Sequence, residues 1–264
     1  MIGAIIGDIV GSVYEWNNIK TKDFQLFDNR SFFTDDTVMT LAVGKALAEC
    51  SGNYDDLERQ AVFWMQKLGR MYPNRGFGGH FSIWLNEEDP KPYNSWGNGS
   101  AMRVSPCAYF ARSLEEVKCL SFQVTSVSHN HSEGIKGAEA TAVATYMALH
   151  GTPKEEIRTY LRKNYYKLNF KLDDIRADYQ FDVSCQGSVP QALQAFLEAN
   201  DFEDAIRNAV SIGGDSDTIG AITGSIAAAY YPVPEEIRNQ ALNRLDDYLA
   251  EIFQETEAAI INLR

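Results

Sequence analysis

Apolar residues recur every three or four positions along most of the chain, which is the spacing of helices that bury one face. No stretch alternates apolar and polar residues for long enough to predict a sheet. We therefore predict an all-α fold, and we predict one domain over residues 1–264, because no linker or repeat divides them. The predicted helices lie at about 2–16, 36–49, 54–70, 114–127, 132–149, 201–210 and 211–231. A further helix starts within residues 186–190 and ends at about 198. Two more follow Pro234, the last at about 245–261.

The segment 211–231, SIGGDSDTIGAITGSIAAAYY, predicts a buried central helix with an acidic N-terminus. Its many glycines and alanines leave little side-chain bulk, so neighbouring helices can approach closely. Asp215, Asp217 and Thr218 stand at the start of this helix. Considered alone, helix capping and a functional role explain these residues equally well, since Asp and Ser are preferred as the residue that caps a helix N-terminus. The glycines at 3, 7 and 11 likewise indicate close packing of the first helix.

A similar polar cluster, Thr34-Asp35-Asp36, precedes the predicted helix at about 36–49. Two phenylalanines stand directly before it, which indicates burial, and buried carboxylates must be paired, protonated or bound to a metal. If this cluster meets the acids at 215 and 217, four carboxylates share one site and require a counter-cation. Ligands that are all oxygen favour Mg²⁺, Mn²⁺ or Ca²⁺. The sequence alone does not show that the clusters meet.

The composition narrows the function classes. The net charge of -12 and the pI of about 4.8 give no global basic surface, which disfavours a nucleic-acid partner but leaves a local basic patch open. Four scattered cysteines without a C-x-x-C pair predict reduced, mostly buried thiols. The apolar start lacks a basic leader, and no apolar run reaches transmembrane length. We therefore expect a cytoplasmic protein without a membrane partner.

Three weaker features of the sequence each have two interpretations when only residue chemistry is considered. The glycine-rich turn at 75–80 can offer backbone N–H groups to a phosphate, although most such turns bind nothing. Trp96, among small polar residues, either stacks on a flat ligand or folds back onto the core. His129 and His131 form a His-x-His pair, but no cysteine lies nearby, and we do not predict zinc.

Five short motifs taken together resemble the ADP-ribosylglycohydrolases, most of all the dinitrogenase reductase-activating type. They occur in that family's order and span residues 3 to about 231. The motifs are Gly7-Asp8 with Glu15, Phe33-Thr34-Asp35-Asp36-Thr37, Gly97-Asn98-Gly99-Ser100-Ala101-Met102-Arg103, Ser128-His129-Asn130-His131, and Gly213-Gly214-Asp215-Ser216-Asp217-Thr218.

The resemblance implies an orthogonal helical bundle with a centre of two Mg²⁺ or Mn²⁺ ions. Glu15 matches a glutamate that stands over the metals and the substrate ribose in that family. The implied metal ligands are Thr34, Asp35, Asp36, Asp215, Asp217 and Thr218. The implied catalytic residues are Glu15, Asp35 and Asp36, and the implied substrate-binding residues are Gly78, Ser95, Trp96, Asn98 and His129.

The reaction that the resemblance implies is hydrolysis of the glycosidic bond between ADP-ribose and an acceptor, such as arginine on a modified protein. Ser95 stands where some arginine-specific relatives have an acid, so serine, nucleic-acid and O-acetyl-ADP-ribose linkages are alternatives. A protein that only binds ADP-ribose is a further alternative. The presence of all six implied ligands favours an enzyme. The general base is left open among Glu15, Asp35 and Asp36.

Overall fold

The computed structural model describes residues 1–263, and it confirms the all-α fold. Within this range, the only strand-like pairing is a single antiparallel bridge between Gly97 and Ser184. The helices are α1 (Ile2–Gly11), α2 (Asp35–Glu49), α3 (Leu57–Met71), α4 (Gly79–Asn86), α5 (Ser105–Phe110), α6 (Leu114–Ser126), α7 (Ser132–Leu149), α8 (Lys154–Asn164), α9 (Leu172–Ile175), α10 (Cys185–Glu198), α11 (Phe202–Ser211), α12 (Ser216–Tyr230), α13 (Glu235–Leu242) and α14 (Asp247–Leu263), with a 3₁₀ turn at Asn98–Ser100.

Helix α12 is the centre of the bundle, as its small residues predict. Every residue from 216 to 227 is buried, and the helix packs against α1, α7, α10 and α11. Helix α1 is buried along its whole length. Helix α2 lies against α1, with α3 and α14 on its other sides. The first turns of α2 and α12, which carry the two acidic clusters, are therefore held by the most buried part of the molecule.

Glycines allow α1 and α12 to touch backbone to backbone. A Cβ atom placed on Gly7 would lie 1.9 Å from the carbonyl oxygen of Gly220, and one on Gly3 would lie 1.9 Å from that of Gly224. At Gly11 the carbonyl oxygen of Ser216 would be 2.3 Å away. No larger residue fits at these three positions without separating the helices. The periodic glycines thus set the distance between the helices that carry Asp8 and Asp217.

Two predicted boundaries are wrong for identifiable reasons. Helix α1 ends at Gly11, and the chain then turns, with the Ser12 hydroxyl donating to the carbonyl of Ile9; Glu15 therefore lies in a loop. Helix α10 begins at Cys185, because the Ser184 side chain caps it by accepting from the N–H of Gly187. Pro190 consequently lies in the second turn of α10, and the prediction that it occupies the first turn fails.

The structure of residues 1–263 also bears on the predictions for membrane helices and for the cysteines. No helix between residues 1 and 263 has both the length and the apolar character needed to cross a membrane. The four cysteines are free thiols. Cys107 and Cys185 are buried, but Cys50 is partly exposed and Cys119 is exposed, so only half of them are buried as predicted.

Candidate functional site

A cavity of about 400 Å³ opens over the first turns of α2 and α12. Its floor is acidic, with Asp35 and Asp36 from α2, and Asp217 and Thr218 from α12. Asp215, the residue before α12, also lines it, and so does Glu15 from the loop after α1. The two acidic clusters that are about 180 residues apart in the sequence therefore meet in one cavity. This juxtaposition is the step that the sequence could not establish.

The acids form two overlapping groups of carboxylate oxygens. Oxygens of Asp8, Asp36 and Asp217 all lie within 4.8 Å of one another, and so do those of Glu15, Asp215 and Asp217. Asp217 belongs to both groups and connects them. Both helices also direct the positive ends of their dipoles toward the acids, which stabilises negative charge there. The arrangement suits one or two small cations bound between the groups.

Asp8 is the acid that the predicted site lacked, and its hydrogen bonds explain its position. It is fully buried, and its carboxylate accepts from the N–H of Thr34 at 2.9 Å and from the N–H of Thr37 at 3.0 Å. It also accepts from both threonine hydroxyls, that of Thr34 at 2.6 Å. Asp8 therefore anchors the start of α2 to α1. A charged residue inside an apolar, glycine-spaced helix was the sequence signal for this role.

The threonines at the two helix starts have different surroundings. Thr34 caps α2, and its hydroxyl is engaged by Asp8 and by the N–H of Asp36. It is not among the residues that line the cavity. Thr218 does line the cavity, and its hydroxyl donates to Asp36 Oδ2 at 3.2 Å. Both hydroxyls thus contact the acid groups, but only Thr218 also lines the cavity.

The electrostatics of the cluster are unfavourable without a cation. Burial raises the pKa of Asp35, Asp36 and Asp217 well above the usual range, and repulsion from neighbouring acids adds to this. Burial, with repulsion from Asp217, raises the pKa of Glu15 to about 8. Burial also raises the pKa of Asp215 to about 6, although a hydrogen bond from Asn98 opposes the shift.

The chemistry of these residues fits a hard divalent cation. Within residues 1–263, no lysine or arginine forms a salt bridge with any acid of the cluster. Asp36 Oδ1 is buried and has no hydrogen-bond partner in the same range. An unpartnered buried carboxylate oxygen is costly, and a cation would satisfy it. Carboxylate and hydroxyl oxygens are ligands suited to Mg²⁺ or Mn²⁺.

We expect Mg²⁺ or Mn²⁺ to stabilise the folded protein strongly. A cation at 100 times its dissociation constant adds about 2.7 kcal/mol to the free energy of unfolding for each site. Thermal unfolding should be followed after treatment with EDTA, then with added Mg²⁺, and with NaCl at matched ionic strength. The midpoint should rise with Mg²⁺ only. Equal midpoints in Mg²⁺ and NaCl would contradict a cation site in the cluster.

Four of the five predicted substrate-binding residues line the cavity, namely Gly78, Ser95, Asn98 and His129. Asn98 is buried, and its side-chain amide donates to Asp215 Oδ2 at 2.7 Å, so it holds that acid in place. A Cβ on Gly78 would contact nothing within 4 Å, so the glycine-rich turn leaves open space at the cavity wall. These four residues add uncharged polar groups and open backbone to a cavity that the acids also line.

Trp96, the fifth residue, is not among those that line the cavity. Its side chain is half exposed, and its ring packs edge-on against His131, with centroids 5.3 Å apart. The aromatic residues that do line the cavity are Phe81, Tyr93, Trp16 and Phe181, and the rings of the last two stack with centroids 5.2 Å apart. Trp16 is 76% exposed although it directly follows Glu15. Neither Trp16 nor Phe181 was predicted from the sequence, and the adjacency of Trp16 to Glu15 was the available signal.

Comparison with known proteins adds an independent line of evidence. A family model described as ADP-ribosylglycohydrolase matches residues 1–261. The ADP-ribosylhydrolase ARH3 of Mus musculus is 24% identical over 340 residues, which cover 97% of this chain and 91% of that protein. The ADP-ribosylarginine hydrolase Tri1 of Pseudomonas putida (strain GB-1) is 27% identical over 288 residues, covering 95% of this chain and 76% of that protein.

A solved structure shares the fold. It is titled as an ADP-ribosylglycohydrolase-related protein complex, and it superposes with a TM-score of 0.66 at 23% sequence identity. The likeness covers 99% of this chain and 96% of that chain. The whole helical bundle, rather than the cavity alone, is thus shared with that structure.

Proposed function

The chain belongs to the ADP-ribosylglycohydrolase family and is an ADP-ribosylglycohydrolase, and we propose that it is a metal-dependent one. The proposed reaction is hydrolysis of the glycosidic bond between ADP-ribose and a side chain of a modified protein, with arginine as the first candidate. The proposed cofactors are two Mg²⁺ or Mn²⁺ ions. The proposed ligands are Thr34, Asp35, Asp36, Asp215, Asp217 and Thr218.

One observation carries the proposal: two groups of acids, of which only Glu15 is partly exposed, share Asp217, and Asp217 lines a cavity large enough for a small-molecule ligand. Carboxylates this close together cannot all stay ionised in a folded protein unless a cation compensates their charge. Anchoring of α2 explains Asp8, but burial and repulsion raise the pKa of Asp36 and Asp217, so these acids weaken the cation-free fold.

The protein's own residues can perform much of the chemistry. When bound, Mg²⁺ or Mn²⁺ would neutralise the acid cluster and help to orient the ribose hydroxyls. Glycosidic cleavage builds positive charge on the ribose, which the carboxylates can stabilise. Asp36 is buried and hydrogen-bonded to Thr218, whereas Glu15 is partly exposed at the cavity. Glu15 is therefore better placed than Asp36 to take a proton from the attacking water.

Replacing Glu15 by Gln should lower kcat by about 10²- to 10⁴-fold, the range typical for loss of a general base. Gln keeps the shape of Glu15 and removes a charge that burial and repulsion from Asp217 disfavour, so the folded state should keep its stability. Steady-state release of ADP-ribose measures the first effect, and thermal unfolding measures the second. Glu88→Gln, at an exposed position outside the cavity, is the matched control. Unchanged kcat in Glu15→Gln would remove this residue from the reaction.

The names of the relatives suggest which group carries the ADP-ribose, and a panel of substrates tests that suggestion. Tri1 is named an ADP-ribosylarginine hydrolase, which supports arginine. The net charge of -12 disfavours ADP-ribosylated nucleic acid, whose backbone the protein would repel. ADP-ribose release should be compared for arginine-linked, serine-linked, O-acetyl and nucleic-acid substrates with Mg²⁺ or Mn²⁺ present. Release from the arginine substrate alone supports the proposal. Binding of ADP-ribose without release from any substrate would instead support the binding-protein alternative.

A further inference from the structure

Arg103 is a buried cation without an acidic partner. Its side chain is 1% exposed, and no salt bridge involving it is formed within residues 1–263. One terminal nitrogen donates to Ser128 Oγ at 2.7 Å and to the carbonyl of Val124 at 3.3 Å. The guanidinium also lies over the ring of Phe81, at 5.3 Å from the centroid. A buried charge held in this way is costly, so its placement beside the cavity requires an explanation.

The hydrogen bond from Arg103 fixes the direction of the next one. A guanidinium can only donate, so Ser128 Oγ must accept from it. The other partner of this buried hydroxyl is His129 Nδ1, at 2.8 Å. The hydroxyl hydrogen has no other acceptor within the described chain, and leaving it unpaired would be costly. Ser128 therefore donates to His129 Nδ1, which means that Nδ1 carries no proton.

The second ring nitrogen of His129 then carries the proton and faces the cavity. Nε2 makes no hydrogen bond to any residue in the range 1–263, and both His129 and the nearby glycines line the cavity. A Cβ on Gly97 would lie 3.6 Å from Nε2, and one on Gly99 would lie 3.5 Å from it. Glycines at these positions leave the space in front of Nε2 open. The Nε2–H group is thus a free donor in the cavity that the acid groups also line.

We propose that Arg103 and Ser128 are positioning residues that hold His129 as the neutral Nε2–H tautomer, so that the cavity presents one fixed donor to an oxygen of ADP-ribose. The ligand in this inference rests on the proposed function, whereas the tautomer rests on the hydrogen bonds alone. Burial, together with the charge of Arg103, lowers the pKa of His129 well below its usual value, which favours the neutral ring. A fixed donor binds its acceptor without first reorganising, which improves affinity.

The tautomer can be measured directly in the ligand-free protein. Only four histidines are present, so the ring ¹⁵N signals of His129 can be assigned with single His→Gln variants. At pH 7, two-dimensional ¹H–¹⁵N spectra should show Nδ1 unprotonated and Nε2 protonated for His129. Ser128→Ala should change this pattern toward a mixture of tautomers. A wild-type His129 with a protonated Nδ1 would overturn the inference, whatever the enzyme's activity proves to be.

The consequence for binding is measured by calorimetric titration with ADP-ribose. Ser128→Ala should weaken binding by about 2-fold or more, because the affinity falls with the fraction of His129 that keeps the Nε2–H tautomer. Ser121→Ala is the matched control, because Ser121 is also buried but its hydroxyl has no partner in the described chain. Arg103→Lys, which keeps a donor, should retain more affinity than Arg103→Met. Unchanged affinity and unchanged ¹⁵N signals in Ser128→Ala would contradict the proposal that Arg103 and Ser128 position His129. Absence of ADP-ribose binding by the wild type would contradict the proposed function, while the spectra still decide the tautomer.

Discussion

Asp217→Asn should lower kcat/KM for ADP-ribose release by roughly 10³-fold, since cation-borne charge stabilisation is worth several kcal/mol. Asp217 is the acid common to both carboxylate groups, so its loss affects each of them. The substitution keeps the shape of the side chain and removes its charge. Initial rates with saturating Mg²⁺ or Mn²⁺ measure the effect. Asp174→Asn, an exposed acid outside the cavity, is the matched control and should retain the wild-type rate.

The same substitution should stabilise the cation-free fold, which separates a functional loss from misfolding. Burial and repulsion from Asp215 raise the pKa of Asp217 well above its usual range. The folded wild type therefore binds more protons at this site than the unfolded chain, and this contribution weakens folding as pH rises above about 4. Asn does not titrate, so the advantage of the variant should grow with pH. A variant that is less stable than the wild type in EDTA, or fully active with Mg²⁺, would refute this account of the cluster.

Gly7→Ala should destabilise the fold by about 3 kcal/mol or more, at the upper end of the range for overpacked cores. The new methyl group would lie 1.9 Å from the carbonyl oxygen of Gly220, and a backbone atom cannot move aside as a flexible side chain can. Helices α1 and α12 would have to separate, which would also displace Asp8 from Asp217. We therefore expect a lower unfolding midpoint and reduced cation binding. Urea unfolding and calorimetric titration with Mn²⁺ measure the two quantities.

Gly79→Ala provides the control for adding a methyl group to a helical glycine. A Cβ at Gly79 would contact nothing within 4 Å, so its stability should stay within about 0.5 kcal/mol of the wild type. If Gly7→Ala were as stable as Gly79→Ala, the contact between α1 and α12 would be looser than the structure indicates. In that case the glycine spacing would not be what positions the acids.

Helical periodicity and small residues were sufficient to predict the fold, because both depend on local sequence. The amphipathic pattern placed α2 and α7 within one residue of their observed ends. The burial of α12 followed from its glycines and alanines, since only close helix packing favours such a sequence. The ends of α1 and α10 were harder, because a side-chain cap at Ser184 and a turn after Gly11 determined them.

The two acidic clusters of the site were each predictable from the sequence, whereas the other features of the site depend on packing between distant parts of the chain. Residue chemistry marked Asp36 and Asp217 as buried acids, but only the family resemblance implied that these acids, 181 positions apart, share one site. The hydrogen bonds of Asp8 to Thr34 arise only when α1 packs against α2. The aromatic pair of Trp16 and Phe181 is likewise formed by two distant loops. Tertiary contacts of this kind leave no periodic signal in a single sequence.

The central claim is that the buried acid cluster holds cations that the hydrolysis of an ADP-ribosyl bond requires. Release of ADP-ribose from an arginine-linked substrate should be measured for the purified protein, again after EDTA, and once more after Mg²⁺ or Mn²⁺ is restored. We predict release by the purified protein with its cations bound, its loss after EDTA, and its recovery with either cation. Undiminished release in EDTA by fully metal-depleted protein would contradict the claim.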